Sequence, residues 1–599
     1  MAETRFDVVI RNGTLYDGTG SPGRRADVGI RDGRVAAIGT RLEGTGAKEI
    51  DATGCWVTPG FFDLHTHYDA EIEVLPGLDE SVRHGVTSVV MGNCSLSAAA
   101  GTDEQLLDLF CRVESLPRPL MEKWLDGNVR WNGPKEYYEH LESLPIGPNV
   151  ATFLGHSNVR LAAMGTERAL REPKATAAEK AAMKAMIREA LDAGFLGLSI
   201  DMLPWHRWDG EAYKGISVPS QQAHPSEYEE LADVVRDAGG VLQATPNALM
   251  KQTVLRILSY SVGRARGRKP LKTTIVAAMD VKTDRKIYKI AQMSARFVTE
   301  VLGGDVRFQA LAEPFLNYCD GVHTPLFEEF PTGVEAISAT AAERRRMFAD
   351  PGYRRRFREE WTSKGQRVFH RDLGDMLVIA APDTSIVGKS FRQIARERGA
   401  DEVECLMDLL REHDSALRWK TEVTNDRPGP RRELMASPYT LPGFNDSGAH
   451  NRNMAFQDGA LQLLQQMQAH PEVLSIEQAV HRLTGEIAAW LGLDAGVIAE
   501  GKHADVVVID PRKLPYGLSR PIELDDPRLD GHMRMVKRSD GVVRNVLIGG
   551  RVAFEAGELA EDFGKTKYGR LLRRGGIGAT KRAPSSAKTT ARDGASAGV

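Results

Sequence analysis

Cysteine is scarce in this chain of 599 residues, and the few cysteines are odd in number and widely scattered: Cys55, Cys94, Cys111, Cys319 and Cys405. That pattern does not match a disulfide framework. Apolar runs of about 18 residues, which a membrane-spanning helix needs, are absent. The first residues, Met1 to Asp7, lack the apolar segment of a secretory signal. We therefore expect a cytoplasmic protein with no membrane partner.

An excess of charge of either sign is also missing. The net charge is −3, so long-range electrostatics give no reason to expect nucleic acid or an anionic membrane as a partner. The length exceeds one ordinary core and allows a large enzyme domain with a smaller one. We expect a small-molecule substrate, and the sequence leaves open whether the chain forms a homo-oligomer.

Both ends of the chain carry short β-rich runs. In residues 5–58 these runs are separated by Asn12-Gly13 and Asp32-Gly33, which are typical of hairpin turns. Similar β-rich runs are found at Ala504–Asp510 and at Val542–Val552, and the second of them contains the turn Gly549-Gly550. We predict that residues 1–58 and 491–560 pair into one β-sandwich domain.

Between residues 59 and 490 the pattern becomes strand followed by helix. Helices are indicated at Thr176–Ala193, at Ser226–Ala238 with Ser226 as the cap, and at Ile287–Leu302. Eight strands alternating with helices predict a (β/α)8 TIM-like barrel, whose chemistry lies at the carboxyl ends of the strands. The predicted strands are Trp56–Leu64, Val86–Met91, Val150–Leu154, Phe195–Ile200, Val241–Thr245, Thr273–Met279, Val306–Ala312 and Tyr439–Phe444.

Two further segments interrupt this scheme. Residues 320–435 lie between the last two predicted strands and are too long for a connection, so we predict a lid or satellite over the site. Residues 561–599 are polar and basic, which predicts a disordered tail.

His65 and His67 follow the apolar run Cys55–Leu64, and Asp69 follows two positions later. Side chains in a strand alternate faces, so the two imidazoles leave the strand end on the same side. Two parallel imidazoles can hold one metal ion. A pair of histidines at this spacing is not enough by itself, so further ligands must come from other strand ends.

Two residues past other predicted strands are candidate ligands. Cys94 follows the second strand, where a thiolate could bind zinc, although a lone cysteine is also a common small buried apolar residue. Asp446 ends the eighth strand, where a carboxylate could bind metal and accept a proton from water, or could only cap a turn.

Three polar residues near other strand ends are candidates for substrate binding. His156 could contact substrate or a developing oxyanion, Arg160 could hold a carboxylate, and Lys282 could face the pocket. A packed histidine, a surface arginine and a solvated lysine are the respective alternatives. His84 precedes its strand and is interpreted as structural.

As a set, several stretches between residues 6 and 560 resemble the amidohydrolase superfamily, and within it the D-aminoacylase (N-acyl-D-amino-acid deacylase) branch. They are Asp17–Gly20, Pro59–Asp69, His84–Cys94, Gly155–Arg160, Val387–Leu410, Asp446–His450 and Gly501–Asp505.

The resemblance implies roles for individual residues. It makes His65 and His67 metal ligands, Cys94 a ligand that can bridge to a second metal, and Asp446 both ligand and general base. His450 is expected to contact substrate. Zinc in such a site activates water and polarises an amide carbonyl.

The chain departs from the family at two ligand positions. The family has a histidine at the end of the fifth strand, where this sequence has Thr245, and another at the end of the sixth, near Asp280. Asp280 can bind a metal through oxygen, whereas threonine is a poor zinc ligand. One zinc is therefore expected, with two as the alternative.

The expected function is metal-dependent hydrolysis of a linear amide, that of an N-acyl D-amino acid or related N-acylated amine. Two alternatives remain at this stage. A hydantoinase-like hydrolase of cyclic amides would need a lysine in the fourth strand, which Phe195–Asp201 lacks. A degenerate barrel that binds a small molecule without catalysis would explain the missing histidines.

Overall fold

In the computed structural model, the described residues are 5–125, 127–263 and 267–575. Strands from both ends of the chain share one nine-stranded sheet. The ends meet where Val506–Ile509 pairs antiparallel with Trp56–Pro59, so the predicted pairing of the two ends is observed. A β-sandwich requires a second layer packed on this sheet, and that layer stays a prediction. The other strands of this sheet are Arg5–Leu15, Arg24–Arg31, Arg34–Gly39, Thr45–Asp51, Val543–Ile548, Arg551–Glu555 and Glu558–Leu559.

Of the two predicted N-terminal turns, one is correct and one is wrong. Asp32-Gly33 joins two antiparallel strands, with Gly33 at a φ of 73°. Asn12-Gly13 instead lies within the continuous strand Arg5–Leu15, as an irregularity of register. Parallel neighbours on the other side continue the strand past these residues, with Asn12 at a φ of 62° inside the irregularity, and a Cβ on Gly13 would lie 2.4 Å from Val57. The tertiary pairing thus overrides the local turn signal.

Within the described residues, the central region contains eight parallel strands, several of them broken, and helices surround them in a mixed α/β fold. In chain order they are Phe61–Asp63 with His65–Thr66, Val86–Met91, Asn149–Thr152 with Leu154–Gly155, Gly197–Asp201, Val241–Thr245, Lys272–Ile275, Asp305–Ala310, and Thr440–Pro442 with Phe444–Ser447. Hydrogen bonds divide these strands among three sheets. The first sheet contains strands one, two and three, the second contains strands three through eight, and the third pairs strand eight with strand one. A single closed barrel stays a prediction.

The predicted strand Trp56–Leu64 is divided at Gly60. Its first half belongs to the terminal sheet, whereas Phe61–Asp63 pairs in parallel with the second strand. A Cβ on Gly60 would lie 1.9 Å from the Thr87 side chain, so only glycine fits where the chain passes between the sheets.

Helices between the strands agree with the predicted positions apart from their ends. Thr176 caps Ala177–Ala193 in a capping box. The next predicted helix is Pro225–Asp237, and its cap is His224, not Ser226. The third is Ile287–Arg296, which continues as a π-helical turn, Phe297–Val301. Further helices are Asp79–Val82, Asp103–Val113, Arg118–Leu125, Pro134–Ser143, His156–Met164, Thr166–Arg171, Pro219–Gln222, Lys251–Ser261, Pro428–Ala436, Gly459–Ala469, Ile476–Leu483, Gly485–Leu491 and Leu514–Gly517.

The long segment between the seventh and eighth strands forms its own sheet and apolar cluster. Phe315–Asp320 and Leu377–Ala380 pair antiparallel with Arg418–Thr424. Phe327 and Trp361 lie in the cluster, so this insert buries its own core. Its helices are Pro325–Glu328, Pro331–Ser338, Ala341–Met347, Pro351–Thr362, Phe391–Arg398 and Glu402–His413. A small hairpin, Ile522–Asp525 with Met533–Val536, lies in the C-terminal part.

The predicted disordered tail is wrong for residues 561–575. Leu572 donates its backbone N–H to the Val150 carbonyl at 2.8 Å, and both Leu571 and Leu572 are buried. Residues 576–599 lie outside the described residues, so the prediction is untested there. Among the helices of the described ranges, none is long and apolar enough to cross a membrane.

Candidate metal centre and active-site cavity

Three ligand-type side chains converge at the carboxyl ends of the first two parallel strands. The Nε2 atoms of His65 and His67 lie 3.2 Å apart, and the Sγ atom of Cys94 lies 3.3 Å from Nε2 of His65. All three residues are buried, and one ligand atom from each lies within 4.8 Å of the others. The face shared by the two histidines, predicted from strand alternation, is therefore observed.

Asp446 brings a carboxylate to the same point from the eighth strand. Its Oδ1 lies 3.3 Å from Nε2 of His67 and 3.7 Å from Nε2 of His65. Asp446 has a φ of 53° and Cys94 a φ of 51°, in the left-handed region that non-glycine residues rarely occupy. Such strain persists only where the surroundings enforce it and is concentrated at functional sites.

The far nitrogens of both imidazoles are engaged by side chains from other elements. Nδ1 of His65 lies 2.7 Å from Oε1 of Gln309, on the seventh strand. Nδ1 of His67 lies 3.1 Å from Oε1 of Glu114, just past the helix Asp103–Val113. At His65, the acceptor at Nδ1 places the proton there and leaves the Nε2 lone pair directed at the cluster, which is the arrangement that metal-ligating histidines use. His67 must bind a metal as the neutral imidazole too. The donor set therefore fits a metal ion.

Burial and neighbouring charges set the protonation of the cluster. Burial lowers the pKa of His65 to about 3, so this imidazole is neutral, as a ligand must be. Burial opposes charge on His67 too, but Glu114 and Asp446 raise its pKa well above the ordinary value. Burial would raise the pKa of Asp446, yet hydrogen bonding to His67 and the charges of the histidines lower it to about 2.

Cys94 is held by groups from the fifth strand. Its backbone N–H donates to Oε1 of Gln243 at 2.9 Å, and the Thr245 hydroxyl donates to its Sγ at 3.2 Å. Burial raises the pKa of this thiol to about 11, so it needs a cation to become a thiolate at neutral pH. Thr245 thus stands beside the cluster at the fifth strand end, as the alignment of the sequence predicted.

The cluster opens into a cavity of about 1010 Å³. His206 and His450 line it near the cluster, and Phe369 contributes from the insert. The rest of the lining is mostly apolar, with a few cations: Val254, Leu255, Leu258, Val276, Ala278, Met279, Ile287, Ile290, Ala291, Phe308, Phe315, Phe444 and Met454, with Lys251, Lys364 and Arg367.

Comparisons with known proteins show what this chain is similar to. The sequence profile of the Amidohydrolase family matches residues 48–240. The N-acyl-D-glutamate deacylase of Alcaligenes xylosoxydans is 28% identical over 527 residues, covering 85% of this chain and 88% of the relative. An uncharacterized protein of Mycobacterium tuberculosis is 40% identical over 590 residues, covering 96% of this chain and 97% of the relative.

The chain belongs to the amidohydrolase superfamily, in its D-aminoacylase branch. It is a metal-dependent hydrolase of carbon–nitrogen bonds other than peptide bonds. The N-acyl-D-glutamate deacylase of Bordetella bronchiseptica, solved with zinc and a phosphonate inhibitor, has the same fold. Its TM-score is 0.61 at 24% identity, and the alignment covers 95% of this chain and 100% of that one.

Asp280, predicted as a further ligand of this amidohydrolase, does not reach the centre. Its carboxylate accepts hydrogen bonds from Arg427 at 2.6 and 2.8 Å and from Arg285 at 3.0 Å. Between the sixth strand and Asp280, the residues that line the cavity are Val276, Ala277, Ala278 and Met279. The predicted role of Asp280 is corrected to that of a buried partner of two arginines.

His156 and Arg160 also lie away from the cavity. Glu227 accepts from Arg160 at 2.6 Å and lies 2.9 Å from Nε2 of His156, and all three are buried. A buried arginine needs such a partner, because an unpaired charge in the interior is costly. Their predicted substrate contacts are therefore wrong for this structure, and the alternative of a packed histidine holds.

The other two predicted substrate residues have different outcomes. Lys282 pairs with Asp375 of the insert and is absent from the cavity lining, so its predicted contact is also corrected. His450 does line the cavity, with Nδ1 3.1 Å from Oγ of Ser115, and its role stays a prediction. His84 is buried just before the second strand, in agreement with a structural interpretation.

Three polar residues of the amidohydrolase site were not predicted. Gln309 and Glu114 engage the ligand histidines, and His206 lines the cavity with Nδ1 2.8 Å from Asp201. Burial lowers the pKa of His206, but Asp201 raises it more, so the net shift is upward. Gln309 could have been noticed as a polar residue inside an otherwise buried strand, whereas nothing in the sequence around Glu114 or His206 marks it.

Proposed function

We propose that this protein is a zinc-dependent deacylase of N-acyl amino acids, with D-amino acids as the preferred class. The observation that carries the proposal is the convergence of His65 Nε2, His67 Nε2 and Cys94 Sγ, with Asp446 beside them at the floor of a large cavity. The names of the relatives support the substrate class, since two curated matches are N-acyl-D-aspartate and N-acyl-D-glutamate deacylases.

One zinc ion fits the donor set better than two. His65, His67 and Cys94 would hold it, with Asp446 as fourth neighbour. A zinc ion there supplies a Lewis acid that lowers the pKa of water and polarises an amide carbonyl. The fifth strand ends in Thr245, and apolar residues follow the sixth, so a second zinc would lack nitrogen ligands on that side.

Asp446 is the proposed general base. It is ionised at neutral pH, because its pKa is lowered to about 2, and it lies at the cluster where water would attack. Asp446 would take the proton of the attacking water and return it to the departing nitrogen. His206 and His450 flank the same point in the cavity, where a protonated His206 could donate a hydrogen bond to the carbonyl oxygen.

Cations in the cavity wall would bind the carboxylate of the amino acid. Lys251, Lys364 and Arg367 are the lysine and arginine side chains that line the cavity in the described part of the chain. The last two belong to the insert, which supports the proposal that this segment covers the substrate. A cytoplasmic enzyme without nucleic-acid or membrane partners remains our proposal for its setting.

The arrangement of the parallel strands supports one closed barrel around this site. The third strand is shared by two of the sheets, on either side of Phe153, and the eighth strand by two, on either side of Gly443. Phe444–Ser447 pairs in parallel with His65–Thr66, which brings the last strand back to the first. We propose that the three sheets are arcs of one (β/α)8 barrel, attached to a β-sandwich made by both chain ends.

The first experiment is elemental analysis of the purified chain beside a His65→Ala, His67→Ala variant and a His470→Ala control. We expect about one zinc per chain, lost in the double variant and kept in the control, since His470 lies exposed in a salt bridge with Glu472. Hydrolysis of N-acyl-D-amino acids and their L-enantiomers should fall with the metal. Normal hydrolysis by protein verified to be metal-free would overturn the proposal, and two zinc ions per chain would overturn the mononuclear centre.

A further inference from the structure

Two helices give the outer part of the cavity an apolar wall. Val254, Leu255 and Leu258 project from Lys251–Ser261, and Ile287, Ile290 and Ala291 project from Ile287–Arg296. Spacings of three and four residues place each set on one side of its helix. Both helices therefore turn mostly apolar side chains toward the cavity, with Lys251 and Ser294 as the polar lining residues on them.

This wall continues to the molecular surface. Leu255 is 65% exposed and Ile290 is 49% exposed, although both line the cavity. Toward the metal cluster, Val276, Met279 and Phe444 continue the apolar lining. The ring centroid of Phe444 lies 4.9 Å from that of His65. An apolar path thus connects the ligand histidines with solvent between the two helices.

We infer that the acyl group of the substrate is a long, unbranched aliphatic chain that lies along this path. The inference rests on the proposed deacylase function and names its substrate class. With the amide at the cluster, the amino-acid carboxylate would bind to the cations of the cavity wall. The acyl chain would cover Leu255 and Ile290, which otherwise face water. A cavity of about 1010 Å³ is at the upper limit for drug-sized ligands.

The apolar wall makes a quantitative expectation possible. Each methylene that moves from water into such a wall improves binding by about three- to fourfold. An octanoyl group has six more methylenes than an acetyl group, so kcat/KM should rise at least about a hundredfold from N-acetyl to N-octanoyl on the same amino acid. The gain should stop once the chain reaches the surface.

The two helices offer a matched pair of variants. Leu255→Glu places a charge on the path, whereas Met293→Glu places one at a similarly exposed position, 69%, on the neighbouring helix outside the cavity lining. Neither residue is buried, so both variants should fold. We expect Leu255→Glu to lower the ratio of kcat/KM for the N-octanoyl substrate to kcat/KM for the N-acetyl substrate by at least tenfold. Met293→Glu should leave both unchanged.

The outcomes separate this inference from the proposed function. Efficient hydrolysis of N-acetyl amino acids with no gain from longer chains would overturn the inference and keep the deacylase. Hydrolysis of neither substrate by zinc-loaded protein would overturn the deacylase. In that case, the affinity for a fluorescent dodecanoate analogue tests the apolar path independently of hydrolysis. Weaker binding in Leu255→Glu than in Met293→Glu would support the path, and equal binding would overturn it.

Discussion

At the scale of single residues, the metal centre depends on what its histidines contact on their far side. His65 faces an amide oxygen and His67 a carboxylate, so the pKa of His65 is lowered and that of His67 is raised although both are buried. The pairing of His65 with Gln309 could not be predicted, because the two residues lie 244 positions apart along the chain. That the two histidines lie on one side was predicted, because alternation along one strand decides it.

Replacing Gln309 with Met should weaken metal binding by about 10- to 100-fold, because the acceptor that orients His65 is lost while the side-chain volume is kept. Competition with a chelator of known affinity measures the change. Gln309→Glu restores an acceptor and should bind zinc at least as well as Gln309→Met. Equal zinc affinity in the wild type and in Gln309→Met would show that Gln309 does not support the centre.

At the scale of elements, helices are joined by buried polar contacts that cannot be predicted from the sequence pattern. Glu227 links the helix Pro225–Asp237 to His156 and Arg160 on another helix. The capped helix Ala177–Ala193 was predicted closely, because its start and end signals are local. The predicted turn at Asn12-Gly13 failed, because pairing with neighbouring strands continues on both sides of these two residues, which form an irregularity inside one strand.

Glu227→Gln should destabilise the fold by about 3–5 kcal/mol at pH 7, because Arg160 is left buried without its counter-charge. Burial raises the pKa of Glu227, but hydrogen bonding to His156 and the charge of Arg160 lower it below 4.5 overall. A carboxylate with a lowered folded pKa stabilises the protein above its unfolded pKa and loses that effect as the pH falls through the folded value.

The difference in unfolding free energy between wild type and Glu227→Gln should therefore be largest above about pH 5 and shrink as the pH falls below about 4.5. Urea unfolding at several pH values measures it. A difference that is constant from pH 7 to pH 3 would contradict the assignment. Asp237→Asn, at an exposed position at the end of the same helix, is a control for the charge change.

At the scale of the whole molecule, the two chain ends meet, and a late segment returns to the parallel strands. Residues 561–575 look polar in sequence, yet Leu571 and Leu572 are buried and the segment pairs with Val150. Composition averaged over the tail hid its apolar residues, among them Phe563, Leu571 and Leu572, which only the tertiary structure brings to buried positions.

Ending the chain after residue 560 should lower the free energy of unfolding by about 4.5–9 kcal/mol, since Phe563, Leu571 and Leu572 lose burial worth about 1.5–3 kcal/mol each. A chain that ends at residue 575 keeps these contacts and serves as the comparison. Equal urea midpoints for the two truncated chains would show that the segment adds no stability.

The sequence by itself determined the alternation of strand and helix and singled out the four side chains of the proposed centre. These follow from local periodicity and from the positions of the four residues at or just past the ends of predicted strands. Only the tertiary structure decided that Asp280, His156, Arg160 and Lys282 pair with charges elsewhere. A charged side chain takes whichever partner the fold brings near it, and that partner is distant in sequence.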